Sequence, residues 1–195
     1  DKLPFLEKFN TIRIVSIAGS TIKEYARLAE ILSAQKAVDA LEINISCPNV
    51  DEGGLEFGAF SGPAGKVIKE VKRYFDRPII AKLSPNVTNI VEIAQSAADN
   101  GADALSLVNT LVGASIDINK RKFKLSNIFG GLSGPAIRPV AIAMVYKVTR
   151  AVNIPVALFD IFNRRFWVCI NFKVMGFNLL KQGIFFVRGS EGKAI

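Results

Sequence analysis

Residues 41–50 read LEINISCPNV, an apolar β-type run that ends in an asparagine, a serine, a cysteine, a proline and a second asparagine. Cys47 is one of two cysteines in the chain. A free cysteine is most often a small buried hydrophobe, but a thiol whose pKa is lowered towards neutrality is also a competent base. The flanking amides, Asn44 and Asn49, each carry a donor and an acceptor on one side chain. Three further polar groups interrupt or end apolar runs: Lys82 inside IIAKLSP, Asn109 and Thr110 after ALSLV, and the glycine-rich GGLSG at 130–134. The chain has no histidine, so acid–base work falls to Cys, Lys, Asp, Glu, Tyr or Ser. Taken singly, these groups have bland readings: a core cysteine, a snorkelling lysine, a turn and a flexible loop.

What joins them is their place in the expected elements. Residues 12–18, 41–45, 78–83 and 104–108 read as strands, and residues 154–156 open another. Helical patterns lie between them. Thr21 with Glu24 has the spacing of a capping box, and Ile22, Tyr25, Ala29 and Leu32 follow on one helical face. Pro63 stands where a first helical residue should be, and Val67, Val71 and Tyr74 continue the buried face of that helix. Residues 87–100 form the next helix, stopped by Asn100 and Gly101, and residues 138–151 the last. An insertion at 113–134 has period-2 stretches suited to a small hairpin. Regular alternation of strand and helix predicts an α/β fold with a parallel sheet whose strands are apolar on both faces. Periodicity leaves a closed barrel and an open sheet both available. About five strands, against the eight and roughly 250 residues of a complete barrel, make any barrel an incomplete one. In such folds functional residues gather past the C-terminal strand ends, and all four polar clusters fall there.

Half of the 195 residues are hydrophobic and 22% charged, which excludes a disordered chain. The apolar runs are too short to span a bilayer, and the N-terminal residues lack a signal-peptide pattern. Two distant cysteines make neither a metal cluster nor a disulfide framework, so a reducing cytoplasm is expected. The net charge of +8 would suit an anionic partner. Residues 157–195, however, hold six Lys and Arg against two acids, and no stripe of basic and aromatic residues precedes them, which argues against nucleic acid.

The segments LEINISCPNV (41–50), PIIAKLSPNV (78–87), ALSLVNTLVG (104–113) and GGLSGPAIRPVAI (130–142) together resemble the class 1 dihydroorotate dehydrogenases, with VSIAGSTIKEY (15–25) in support. The resemblance covers about residues 3–156 and lies nearest the B-type branch. It implies a TIM-type (β/α) barrel, FMN as cofactor, and oxidation of dihydroorotate to orotate in pyrimidine biosynthesis. It implies electron transfer to NAD through a partner subunit carrying FAD and an iron–sulfur cluster, in a homo- or hetero-oligomer. By the same resemblance Cys47 is the base that takes the C5 proton, and Asn44, Asn49, Asn109 and Thr110 face orotate. Ser16, Asn44, Lys82, Val108 and Gly134 face the flavin: Lys82 at the N1/O2 edge, Val108 through its main chain, and Gly134 by allowing close backbone approach.

The family pattern is departed from in three places. Its first strands, with a substrate-binding lysine, are not matched, and Ser16 stands where related sequences carry asparagine. After Val156 the family continues into glycine loops that hold the FMN phosphate, whereas residues 157–195 contain no adjacent glycine pair, seven of the 14 phenylalanines and the single tryptophan. The expectation is therefore a partial barrel over 1–156 and a divergent, Phe-rich basic tail over 157–195, of the kind a reading-frame change would leave. A non-enzymatic remnant or subunit-binding fragment without flavin is the alternative.

Overall fold

The computed structural model describes residues 3–46, 48–49, 55–158, 168–170 and 185–188. A short helix α1 (Leu3–Leu6) leads into strand β1 (Arg13–Ile17) and helix α2 (Ile22–Ser33). Thr21 caps α2, its Oγ1 accepting from the Glu24 amide at 3.2 Å, while Glu24 Oε2 accepts from the Ser20 amide at 2.7 Å. The expected box thus closes one residue further out than its usual form. Strand β2 (Ala40–Asn44) follows, then a two-stranded ribbon of β3 (Pro48–Asn49) and β4 (Leu55–Glu56).

Helix α3 (Ser61–Tyr74) starts two residues before Pro63. The first helical amides have no intrahelical partner, so proline is tolerated anywhere in that turn. Its buried face runs through Ala64, Val67, Ile68 and Val71 to Phe75, and Tyr74 points outward instead, 41% exposed. Strand β5 (Ile79–Lys82) and helix α4 (Ile90–Asp99) come next. Helix α4 begins three residues later than the periodicity suggests because Asn89 caps it, and it ends at Asn100 and Gly101 as expected, with Gly101 at φ 103°.

Strand β6 (Ala104–Leu107) precedes the insertion, where β7 (Leu111–Ala114) pairs with β10 (Phe129–Leu132) and β8 (Ile116–Asp117) with β9 (Lys122–Phe123). Helix α5 (Arg138–Thr149) and strand β11 (Val156–Leu158) complete the last β/α unit. Strand β12 (Val168–Ile170) pairs antiparallel with β11, and β13 (Phe185–Arg188) parallel with β1.

The parallel strands lie in the order β13-β1-β2-β5-β6-β11, and from β1 to β11 each β/α unit sits beside its predecessor. Helix α2 packs on α3, α3 on α4, and α4 on α5, which places all four on one side of the sheet. A right-handed crossover repeated without reversal winds a sheet in one direction only. That is the winding of a (β/α) barrel rather than of a doubly wound sheet, and among the described residues five consecutive strands follow it, with β13 added beside β1.

Side chains alternate across each strand. The face towards the helices is apolar throughout: Val15, Ile17, Leu41, Ile43, Ile79, Ala81, Leu105, Leu107, Val156 and Leu158 are all buried. Tyr25, Phe57 and Phe75 are fully or almost fully buried among them, each worth roughly 1.5–3 kcal/mol of burial. The opposite, concave face carries Ser16, Glu42, Asn44, Lys82 and Ser106, so the strands are apolar on one face and not on both.

The N-terminal strand ends are tied by carboxylates. Asp39 Oδ2 accepts from the Arg13 amide at 2.7 Å, and Asp103 Oδ2 accepts from the Ile79 amide and the Lys72 ammonium, each at 2.8 Å. Arg77 stacks over Phe75 at 4.4 Å and donates to the carbonyls of Leu32, Ser33, Gln35 and Val38, closing the C-terminal end of α2. No described helix is long and apolar enough to cross a membrane.

Candidate active site

At the C-terminal strand ends the polar side chains converge. Asn44 ends β2, and the Tyr25 hydroxyl fixes it from the helix layer by donating to the Asn44 carbonyl at 2.6 Å. The Asn44 side-chain oxygen accepts from Asn109 Nδ2 at 3.2 Å and from the Ser46 amide at 3.3 Å. Asn109 Oδ1 in turn accepts from the Thr110 amide at 2.9 Å. Asn86, in the loop after β5, bridges to the same place: its Nδ2 donates to the Thr110 carbonyl at 3.0 Å and its Oδ1 accepts from the Val112 amide at 2.9 Å. Three strand-end loops are thereby joined around a cleft of about 260 Å³ lined by Ser46, Asn86, Asn109, Thr110 and the Gly130–Gly131 backbone, together with the Glu56 carboxylate and the apolar Val112 and Phe129.

Ser46 Oγ is buried in this wall with no hydrogen-bond partner. Unpartnered buried hydroxyls are rare and invite a ligand or water. Gly131 lies so close to Thr110 that a Cβ there would strike its hydroxyl.

A second polar layer lies deeper on the concave face. In the sheet register Ser16 stands opposite Glu42, Asn44 opposite Lys82, and Lys82 opposite Ser106. Glu42 is 2% exposed. Its two oxygens accept from Ser16 Oγ at 2.9 Å and Ser106 Oγ at 3.2 Å. Burial pushes the Glu42 carboxyl above the ordinary carboxylate range, and the positive charge of Lys82 and the two hydroxyl bonds partly offset that rise. No other acidic or basic side chain lies as deep among the described residues.

Of the residues singled out from sequence, Asn109 and Thr110 line the cleft, Asn44 is hydrogen-bonded to Asn109 beside it, and Ser16 and Lys82 share the concave face. Val108 is buried at the end of β6, after a cis Leu107–Val108 peptide. Gly134 sits at φ 85° with open space where a Cβ would be, just before the turn Pro135–Ile137 and away from the cleft lining. Asn49 is placed by the backbone pairing of β3 with β4. Cys47 lies outside the described residues. Glu42, Ser106, Ser46 and Asn86 were not legible as site residues. Only Glu42 carried a signal, a charge inside an apolar strand, of the same kind that marked Lys82. Among the described residues no group of acidic or cysteine side chains could hold a metal ion.

A singly wound β/α sheet with its polar side chains gathered at the C-terminal strand ends is the architecture of the barrel enzymes. Residues 2–158 match the family model described as dihydroorotate dehydrogenase. This chain belongs to the dihydroorotate dehydrogenase family. It is 55% identical over 155 residues to the dihydroorotate dehydrogenase B (NAD(+)) catalytic subunit of Pelobacter propionicus, covering 80% of this chain and 51% of that protein. The proteins of the same name from Geotalea uraniireducens and Lachnoclostridium phytofermentans are 53% and 51% identical, over 156 and 154 residues. These cover 80% and 79% of this chain, and 51% of each relative. The chain thus spans about half the length of the curated relatives it matches.

Proposed function

We propose that this chain carries the substrate half-site of a dihydroorotate dehydrogenase catalytic subunit, which oxidises dihydroorotate to orotate. The observation that carries the reading is the pair Asn109 and Thr110 in the cleft wall, with Asn44 hydrogen-bonded to Asn109 beside it. Pockets for drug-sized ligands run to roughly 300–1,000 Å³, so a cleft of about 260 Å³ suits a single-ring ligand. Amide side chains match an imide edge because each offers a donor and an acceptor in one plane. Asn44, Asn49, Asn109 and Thr110 are assigned to the orotate ring, with the Ser46 hydroxyl available as a further partner.

FMN is the cofactor proposed, and when bound it accepts two electrons and the C6 hydrogen of the substrate. The residues present suit its ring: Ser16 and Lys82 present a hydroxyl and a cation on the concave face, and Val108 and Gly134 offer backbone. Lys82 places positive charge where negative charge develops on that ring. The proton at C5 passes to the Cys47 thiolate, and loss of the C5 proton and the C6 hydrogen leaves the C5–C6 double bond of orotate. Asn44 and Asn109, locked to one another, would hold the ring in one orientation.

The phosphate end is less well matched, because residues 157–195 offer no adjacent glycine pair. That observation favours a second reading, in which the chain binds the pyrimidine ring but no flavin. The partner proposed is an electron-transfer subunit with FAD and an iron–sulfur cluster, and the compartment is the cytoplasm. The insertion supports a partner, since Val112, Ile118 and Phe129 stand 62%, 81% and 63% exposed on it.

Flavin absorbance of the purified, FMN-incubated chain, together with dihydroorotate-dependent dye reduction, tests the reading. Cys47→Ser should lower turnover by at least about 100-fold, the usual contribution of a general base, with flavin retained. An unchanged rate in that variant removes Cys47 as the base. A colourless chain that still binds orotate selects the second reading.

A further inference from the structure

We infer that Glu42 is a positioning residue, fixed between Ser16 and Ser106 on the face that also carries Lys82, so that its carboxylate offsets the Lys82 charge there. This inference rests on the flavin-facing assignment of Ser16 and Lys82. Glu42 is the charged side chain buried most deeply among the described residues, and it belongs to neither the amide cluster nor the cleft lining. A carboxylate withdrawn from water is costly unless it is hydrogen-bonded and paired. Glu42 has both compensations: hydroxyls from β1 and β6 on its two oxygens, and the charge of Lys82 from β5. Four adjacent strands, β1, β2, β5 and β6, therefore each contribute one polar group to a single layer.

The two residues assigned to the flavin ring are both tied to this carboxylate, Ser16 by a hydrogen bond and Lys82 by charge. Glu42 consequently sets how much net positive charge the concave face presents. With Glu42 ionised, the Lys82 charge is largely balanced. Without it, the face carries an uncompensated cation.

Glu42→Gln isolates the charge. The glutamine oxygen can accept from one serine hydroxyl, and its amide can donate to the other after that hydroxyl rotates. The fold is therefore kept, and stability at neutral pH should not fall, since a buried ion is replaced by a neutral isostere. The face becomes more attractive to anions, and a ring that gains negative charge on reduction benefits most.

The test uses the full chain loaded with FMN and two readouts, the dissociation constant of oxidised FMN and the midpoint potential of the bound flavin. Glu42→Gln should shift the ratio of affinities for reduced and oxidised FMN by about tenfold towards the reduced form, which is a rise of about 30 mV for a two-electron couple. Ser106→Ala, which keeps the charge and removes one hydrogen bond, should leave that ratio unchanged. A variant that only loosened the fold would weaken both affinities together and leave the potential where it was. FMN binding with an unaltered potential in Glu42→Gln overturns the inference while sparing the function proposed above. Failure of the wild-type chain to bind FMN overturns both.

Discussion

The Tyr25 hydroxyl links the helix layer to the site, and removing that one oxygen gives a clean test of the link. Tyr25 is fully buried in α2, with its ring edge-on to Phe57 at 5.5 Å between centroids. Its hydroxyl donates to the carbonyl of Asn44, the residue whose side chain gathers Asn109 and Ser46. Tyr25→Phe keeps the ring, the aromatic contact and nearly all the buried area. The loss is therefore close to that of one buried hydrogen bond with its acceptor left behind, about 1–3 kcal/mol.

With a urea m value of about 2 kcal/mol/M, the middle of the range for a small protein, the unfolding midpoint should fall by about 0.5–1.5 M with m unchanged. Orotate affinity, measured by isothermal titration, should fall several-fold as well, because Asn44 is held from behind only through its backbone and β2. Urea titration of both proteins at one pH is the assay. A midpoint within about 0.2 M of wild type would refute the reasoning, since it would mean that the carbonyl found water or another donor at no cost.

Three further outcomes follow from the same geometry. Glu42 has its folded-state pKa raised by burial, so its stability contribution is full below the ordinary glutamate range and is lost as pH rises through the folded value. The groups facing it are Lys82, Ser16 and Ser106, and Glu42→Gln removes only its own titration. The urea midpoint of Glu42→Gln should accordingly gain on wild type between about pH 4 and neutrality, and a constant gap across paired denaturation series would contradict the burial argument. Gly131→Ala drives a methyl group into Thr110, so orotate binding should weaken while thermal stability changes by less than about 1 kcal/mol, because Gly131 lies on an exposed ribbon. Arg77→Met removes the guanidinium from Phe75 and from four carbonyls in and just after the last turn of α2, of which those of Leu32 and Gln35 keep backbone donors, and a loss of about 1–3 kcal/mol in chemical denaturation is expected.

Local pattern revealed what local physics decides. The Thr21 cap and the stop at Asn100 and Gly101 depend on neighbours within a few residues, and each is found where the pattern puts it, whereas the strands read to 45 and 108 end one residue earlier, at Asn44 and Leu107. Helix α3 shows the limit: a 3.6-residue period through Val67 and Val71 fits Tyr74 and Phe75 almost equally well, and only packing against the sheet chooses Phe75. Glu42 shows another, for its partners lie 26 and 64 residues away on β1 and β6. Nothing in LEIN reveals that Ser16 and Ser106 will meet it.

Residue type by itself is also insufficient. Asp39 and Asp103 are carboxylates bound to backbone amides at the N-terminal ends of strands, where they secure the sheet. Glu42 is a carboxylate bound to hydroxyls on the concave face, two residues before Asn44. The difference between a stabilising carboxylate and one placed to serve a site lies in which end and which face of the strand it occupies. That assignment needs the winding of the sheet, which the packing of α2, α3, α4 and α5 on one side establishes and which strand periodicity leaves open.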